Sequence, residues 1–123
     1  MNQFVIHTKL PSLNEYIDVC RSNKYQASQY KKEIEEVIGW AIKRALVIKE
    51  LKPTNKPCIV KFTWIEKNAR RDYDNIAFAK KFILDAMQKQ GIIPNDNRKY
   101  IKGFTDSFDI GSNYMVIVEL VEV

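Results

Sequence analysis

One stretch, Cys58-Ile-Val-Lys-Phe-Thr-Trp-Ile-Glu-Lys-Asn-Ala-Arg-Arg-Asp-Tyr-Asp-Asn-Ile76, sets the architecture expected of the whole chain. From Cys58 to Ile65 the side chains alternate. Val60, Phe62 and Trp64 share the more apolar side, and Ile59, Lys61, Thr63 and Ile65 share the other, which is the period of a strand. The strand runs into Arg70-Arg71-Asp72-Tyr73-Asp74-Asn75, and a helix-forming run follows. If this segment is extended, Asp72 and Asp74 point to one side, because alternate side chains share a face. Asp74 is also placed to cap the following helix. Paired carboxylates beside arginines suit a core badly. They suit a hard divalent cation held near a phosphate.

The helix after the aspartates is expected from about Asn75 to Gln90. Ile76, Ala79, Ile83, Ala86 and Met87 form one apolar stripe, and Phe78 and Phe82 form part of a second, so two sides should be covered. Gly91 suits the C-cap and Pro94 blocks a restart. Asn95-Asp96-Asn97 then reads as a turn that carries a third acid, Asp96.

Working outward, residues 3–9 are rich in β-branched and aromatic side chains and predict a first strand. Residues 12–25 are polar and mixed, and read as a long ordered loop of the kind that often carries function. From Gln26 to about Lys49 the series Tyr30, Ile34, Val37, Ile38, Ala41, Ile42, Ala45 and Leu46 makes an amphipathic helix, with Trp40 beside the stripe, at the core edge or, less favoured, at a partner contact, and Lys31 and Glu35 as an i,i+4 pair. Pro53 and Pro57 bracket the turn that ends it. Lys99 to Asp106 predicts a third strand, Asp109 to Asn113 a hairpin turn, and Tyr114 to Val123 a last strand. The expected fold class is α+β: a single domain over residues 1–123, ordered β-α-β-α-β-β, with a small mixed sheet and two helices packed on it.

The chain has 123 residues and a net charge of +5. Residues 67–102 hold nine Lys/Arg and four acids, while the remainder holds eleven of each. All the excess positive charge therefore surrounds the candidate acidic site, which points to a polyanionic partner rather than a merely solubilising surface. The single histidine, His7, argues against a site needing several imidazoles. Cys20 and Cys58 are far apart and read as reduced, partly buried thiols. No apolar run is long enough for a membrane span, and Met1-Asn2-Gln3-Phe4 lacks the pattern of a secretion signal; a cytoplasmic protein without membrane or nucleotide-cofactor contacts is expected.

These parts suffice for a magnesium-dependent nuclease. Asp72, Asp74 and Asp96 are the candidate metal ligands. Lys80 and Lys81 lie on the helix that starts at the ligands, where a lysine can neutralise charge developing on a phosphate. In one continuous helix position 81 lies almost along the axis from position 74, which favours Lys81 over Lys80; an i,i+4 bond from Lys81 to Asp85 is the competing role. Arg70, Arg71, Lys67, Arg98 and Lys99 are candidate phosphate contacts, joined by Asn14, Arg21 and Lys24 from the 12–25 segment. Taken singly, each acid also has a plain structural role available: Asp74 as a cap, Asp72 as a partner of Arg70 or Arg71, Asp96 as a turn former.

Arg70-Arg71-Asp72-Tyr73-Asp74-Asn75, then Leu84-Asp85-Ala86-Met87, Gly91 and Asn95-Asp96, resembles the RusA-type Holliday-junction resolvases. Leu10-Pro11-Ser12-x-Asn14-x-Tyr16 is similar to that family's N-terminal segment. The resemblance implies a small homodimeric endonuclease of the kind often encoded by phages and prophages. It implies Mg2+ as cofactor, with Mn2+ as a substitute, and paired symmetric nicks in four-way DNA junctions. Asp72, Asp74 and Asp96 match the family's three catalytic acids. The family's lysine falls where this chain has Phe78; a three-residue insertion would let Lys81 keep the spacing to Asp85-Ala86, with Lys80 next in line. Two other functions fit the same residues: a non-catalytic basic DNA-binding module, and a metal-dependent nuclease for another branched or RNA substrate.

Overall fold

The computed structural model describes all 123 residues. In chain order the elements are β1 (Asn2–Ile6), α1 (Leu13–Ser22), α2 (Lys24–Val47), β2 (Cys58–Glu66), α3 (Tyr73–Ala77), α4 (Lys80–Lys89), β3 (Ile101–Ile110) and β4 (Met115–Glu122). The strands form one mixed sheet in the order β1-β4-β2-β3. β4 is antiparallel to β1 and to β2, and β3 is parallel to β2. The α+β class and the single small sheet are as the alternation and helical stripes lead one to expect.

One core joins the sheet to the helices. Phe4 and Ile6 of β1, Val60, Phe62 and Trp64 of β2, and Val116, Val118 and Leu120 of β4 are all buried. They share that core with Ile34, Ile38 and Ile42 of α2 and with Phe82, Ile83, Ala86 and Met87 of α4. Gly91 takes φ 74° just after α4, the left-handed conformation that glycine adopts without steric cost. No helix is long and apolar enough to cross a membrane. Both cysteines are free thiols, Cys58 buried and Cys20 exposed.

Four local expectations are corrected. Residues 13–22 are a helix, not a loop: the Ser12 hydroxyl accepts from the Glu15 backbone N–H at 3.2 Å and starts α1. Ser12-x-x-Glu15 is the spacing of a capping box, a signal masked by the polar composition that follows. Tyr16 of α1 then packs against Phe78 and Phe82, with ring centroids 5.6 and 5.2 Å away.

The second helix is two. At Phe78–Ala79 the bonding tightens to three-residue steps, Ala79 N–H to Ile76 C=O and Lys81 N–H to Phe78 C=O, so α4 starts with a new phase. That shift buries Ile76 and Ala79 while Phe78 meets Tyr16. On α2, Trp40 stands 64% exposed rather than at the core edge.

The turn after β3 is not a hairpin. β3 and β4 are separated by β2, and the Gly111–Tyr114 link passes over the end of that strand. Gly111 donates its N–H to the Glu66 carbonyl at 2.8 Å. A Cβ on Gly111 would lie 2.8 Å from Cγ2 of Ile65, so the crossing needs glycine for close approach. The cause lies upstream: a β2-α3-α4-β3 crossover sets β3 parallel beside β2. β4, whose inward side chains Val116, Val118 and Leu120 are at most 5% exposed, takes the central place.

Candidate functional site

The site grows from the last residue of β2. Glu66 is only 7% exposed, and a buried carboxylate needs a partner. Arg71 supplies it: Nε meets Oε1 at 2.7 Å and Nη2 meets Oε2 at 2.8 Å. The same guanidinium donates from Nη1 to the Leu10 carbonyl at 2.8 Å. Arg71 is thus an internal clasp that fixes the loop 67–72 against the sheet and the N-terminal segment. The structure does not present it to a phosphate.

Asp72 follows the clasp in extended conformation (φ −71°, ψ 154°) and stands at the N-cap of α3 without a side-chain cap bond. Asp74 lies in the first helical turn and accepts from the Asn75 backbone N–H at 3.0 Å. The helix therefore begins at Tyr73, earlier than expected, and the extended-segment argument for one shared side does not apply. Both carboxylates are exposed, and neither is engaged by a cation of the fold. The Asn75 side chain accepts from the Asn14 backbone N–H at 3.4 Å, which holds the start of α1 at this end of the molecule.

A cleft of about 300 Å³ opens beside Asp72, lined on one side by Asn68, Ala69 and Arg71 and on the other by Phe108, Asp109 and Ile110. Glu66, Tyr73 and Ile76 complete it. Tyr73 lies flat on Phe108, with centroids 4.3 Å apart and planes 18° apart. A larger hollow of about 440 Å³ between α2 and α4 is lined by Lys31, Lys32, Glu35, Asp85 and Lys89, among others. Its charges satisfy one another: Lys89 bonds Glu35 at 2.7 Å, an interaction that raises the lysine above its ordinary pKa.

Asp96 stands elsewhere. It lies between Ile92, whose carbonyl accepts from Thr54 ahead of β2, and Asn97, whose carbonyl accepts from Ile101 at the start of β3. That is the Cys58 end of β2, whereas Asp72 is at the Glu66 end; the strand's nine residues separate the two ends by about 26 Å. No group of three or more His, Cys, Asp or Glu side chains converges within the chain as a metal cage. Asp72 and Asp74 lie two residues apart at one end of the sheet, and Asp96 lies at the other.

The lysines part company as well. Lys81 bonds Asp85 at 3.4 Å, and Asp85 also pairs with Lys31 of α2 at 3.9 Å. Lys80 bonds Asp106 of β3 at 2.8 Å and lies over the rings of Phe62 and Phe104. Asp106 also accepts from Trp64 Nε1 at 2.8 Å. Asp106 and Phe108 share a face of β3, so Lys80, not Lys81, stands on the side that leads to the cleft. The preference for Lys81 required an unbroken helix, and the tightened turn at Phe78–Ala79 removes that premise.

Of the candidate phosphate contacts, Arg70 and Lys67 are exposed at the Asp72 end, and Asn14 joins them there. Arg98 and Lys99 are exposed at the Asp96 end, and Arg21 and Lys24 flank the α1–α2 joint. Lys9 was not anticipated; it lies over the Tyr114 ring at 5.0 Å, as Lys67 does at 5.7 Å. Also unanticipated were Glu66, Asp106 and the Tyr73–Phe108 stack. Each depends on a partner distant in sequence, except Glu66, whose place on the apolar side of an alternating strand was a readable signal. No family model matches the chain, and no curated protein matches it.

Proposed function

We propose that the chain is a RusA-like, magnesium-dependent endonuclease for branched DNA, acting as a homodimer on four-way junctions. The observation that supports this best is the pair Asp72 and Asp74: exposed and unneutralised by the fold, with Asp72 on a cleft and the exposed cations Lys67 and Arg70 on the loop that leads to it. Magnesium retains several waters and is commonly bound by one or two carboxylates plus substrate phosphates, so this donor set fits it. When bound, the ion supplies a Lewis acid at the scissile phosphate and a more acidic water. The chain's own residues do the rest. Asp72 and Asp74 hold the ion's place, the Arg71–Glu66 clasp fixes Asp72, and Lys67 and Arg70 take flanking phosphates. Lys80 stands on the cleft side of β3, but its charge is shared with Asp106.

A dimer gives Asp96 a part in this reading. β3 is an edge strand of ten residues, with one side free of partners. Antiparallel pairing of two such edges sets the Ile101 end of one strand beside the Ile110 end of the other. The partner's Asp96 then approaches the end of the sheet where Asp72 and Asp74 stand, and two equivalent sites arise about a two-fold axis.

The test is cleavage of an end-labelled four-way junction, a linear duplex, a flap and an RNA hairpin, each with magnesium and with EDTA. The proposal expects paired, ligatable nicks in the junction that require the metal. Cleavage confined to RNA or flaps would replace the substrate; tight binding without cleavage in magnesium or manganese would favour the non-catalytic binding module.

A further inference from the structure

We propose that Tyr73 is a stacking platform for an unpaired nucleobase beside the Asp72–Asp74 pair. The proposal rests on the nuclease reading for its biological setting, but its physical basis is separate. Tyr73 is 67% exposed, yet its ring is not free to wander, because one face rests on Phe108 at 4.3 Å in a near-parallel stack. Phe108 is rooted in β3 opposite Trp64 of β2, so the platform stands on the sheet. The other face of Tyr73 is left to solvent. A large aromatic ring held flat by a second ring, with one face open, offers a base a contact area already ordered before binding.

The surroundings suit a base better than a lipid or an aliphatic ligand. The cleft adjoining the ring is lined by apolar Ile76 and Ile110, by Asn68 and Asp109, and by the Glu66–Arg71 pair and Asp72. Asn68 Oδ1 is occupied by the Arg70 backbone N–H at 3.1 Å, which leaves the side-chain amide as a donor. Asp109 offers an acceptor. A ring platform sharing a cleft with a donor and an acceptor matches the face and polar edge of a nucleobase. Asp72 and Asp74 flank Tyr73 in the chain, so the phosphate of a base stacked there is delivered to the carboxylates.

A base inside a duplex is already stacked on both faces and cannot use the platform. The site therefore selects DNA with a splayed nucleotide, as at a branch point, and does so with little regard to base identity, since every base has a flat face. Structure selectivity, on this account, is built into the residue between the two aspartates.

The test is fluorescence anisotropy in EDTA, where no cutting occurs, with a labelled oligothymidylate and a labelled duplex of equal length. Tyr73→Ala should weaken binding of the single strand by about 5- to 150-fold, while Tyr73→Phe stays within about two-fold of the parent protein and duplex binding changes little. Unchanged single-strand binding by Tyr73→Ala overturns the proposal. So does an equal loss on both DNAs, a Tyr73→Phe as weak as Tyr73→Ala, or no single-strand binding by the parent. Failure of the nuclease reading has a different signature: no DNA is cut in magnesium, yet the ring dependence of single-strand binding holds. Asp74-dependent cutting with no effect of Tyr73→Ala on binding would instead leave the nuclease and remove the platform.

Discussion

Arg71 holds Glu66 with two nitrogens, Nε at 2.7 Å from Oε1 and Nη2 at 2.8 Å from Oε2, at the end of β2 where the chain turns toward the candidate site. The pair is well shielded, with side chains 15% and 10% exposed. Removing one member strands the other as a buried charge. Arg71→Ala should cost about 3 kcal/mol of unfolding free energy, and Arg71→Lys should recover only part of it, because an ammonium cannot make the two-nitrogen contact. Urea denaturation checks this. A change of a few tenths of a kcal/mol would mean that the clasp is slack and that Arg71 is free for a phosphate.

The two thiols should differ in reactivity. Burial, with Glu122 nearby, pushes the Cys58 thiol above its usual range, while Cys20 is exposed. The thiolate is the reactive form, so a thiol reagent near neutral pH should modify Cys20 alone in the folded protein and both after denaturation. Mass spectrometry of the labelled peptides reads the outcome; rapid native labelling of Cys58 would show that the N-terminal end of β2 opens readily.

Lys80 and Lys81 should respond unlike one another. Lys80→Ala removes a cation that Asp106 and two aromatic rings surround, leaving the Trp64–Asp106 bond beside an unbalanced carboxylate. It should lower both stability and cutting. Lys81→Ala breaks only an exposed i,i+4 pair and should shift stability by at most about 0.5 kcal/mol, with cutting little changed. Thermal melts together with cleavage rates separate the two. A larger loss of cutting in Lys81→Ala would restore Lys81 as the lysine that acts at the phosphate.

The place of Asp96 is open to complementation. If each site takes Asp72 and Asp74 from one protomer and Asp96 from its partner, Asp74→Asn and Asp96→Asn proteins are each inactive, but mixed dimers contain one intact site. Mixing after subunit exchange should restore nicking to about a quarter of the parent's site count, with single rather than paired cuts. No recovery, despite exchange shown by differently tagged chains, would contradict the shared site.

Much of the fold was legible because its signals are local. The alternation from Cys58 to Ile65 marks β2, and its apolar side is the buried one; the stripe Ile34, Ile38, Ile42, Ala45 marks α2; Gly91 marks the end of α4. Lost were the features set by tertiary context. The polar run after Ser12 becomes a helix because Tyr16 finds Phe78 and Phe82. The Asp109–Asn113 turn is not a hairpin because β4 takes the central place beside β2. In the site, the Asp72–Asp74 pair was visible as a motif. The Glu66 half of the Arg71 clasp was within reach of the sequence, five residues away on the apolar side of β2, but the bond to the Leu10 carbonyl was not. Asp96 could be read as an acid in a turn, but only the parallel pairing of β3 with β2 shows which end of the molecule it occupies.

The most direct measurement compares the parent protein with Asp74→Asn on a labelled four-way junction in magnesium, with binding followed separately by gel shift in EDTA. The account predicts paired symmetric nicks by the parent and none by Asp74→Asn, with junction affinity retained or increased. Cutting by Asp74→Asn at the parent's rate would contradict the assignment of Asp72 and Asp74 as the metal-holding centre.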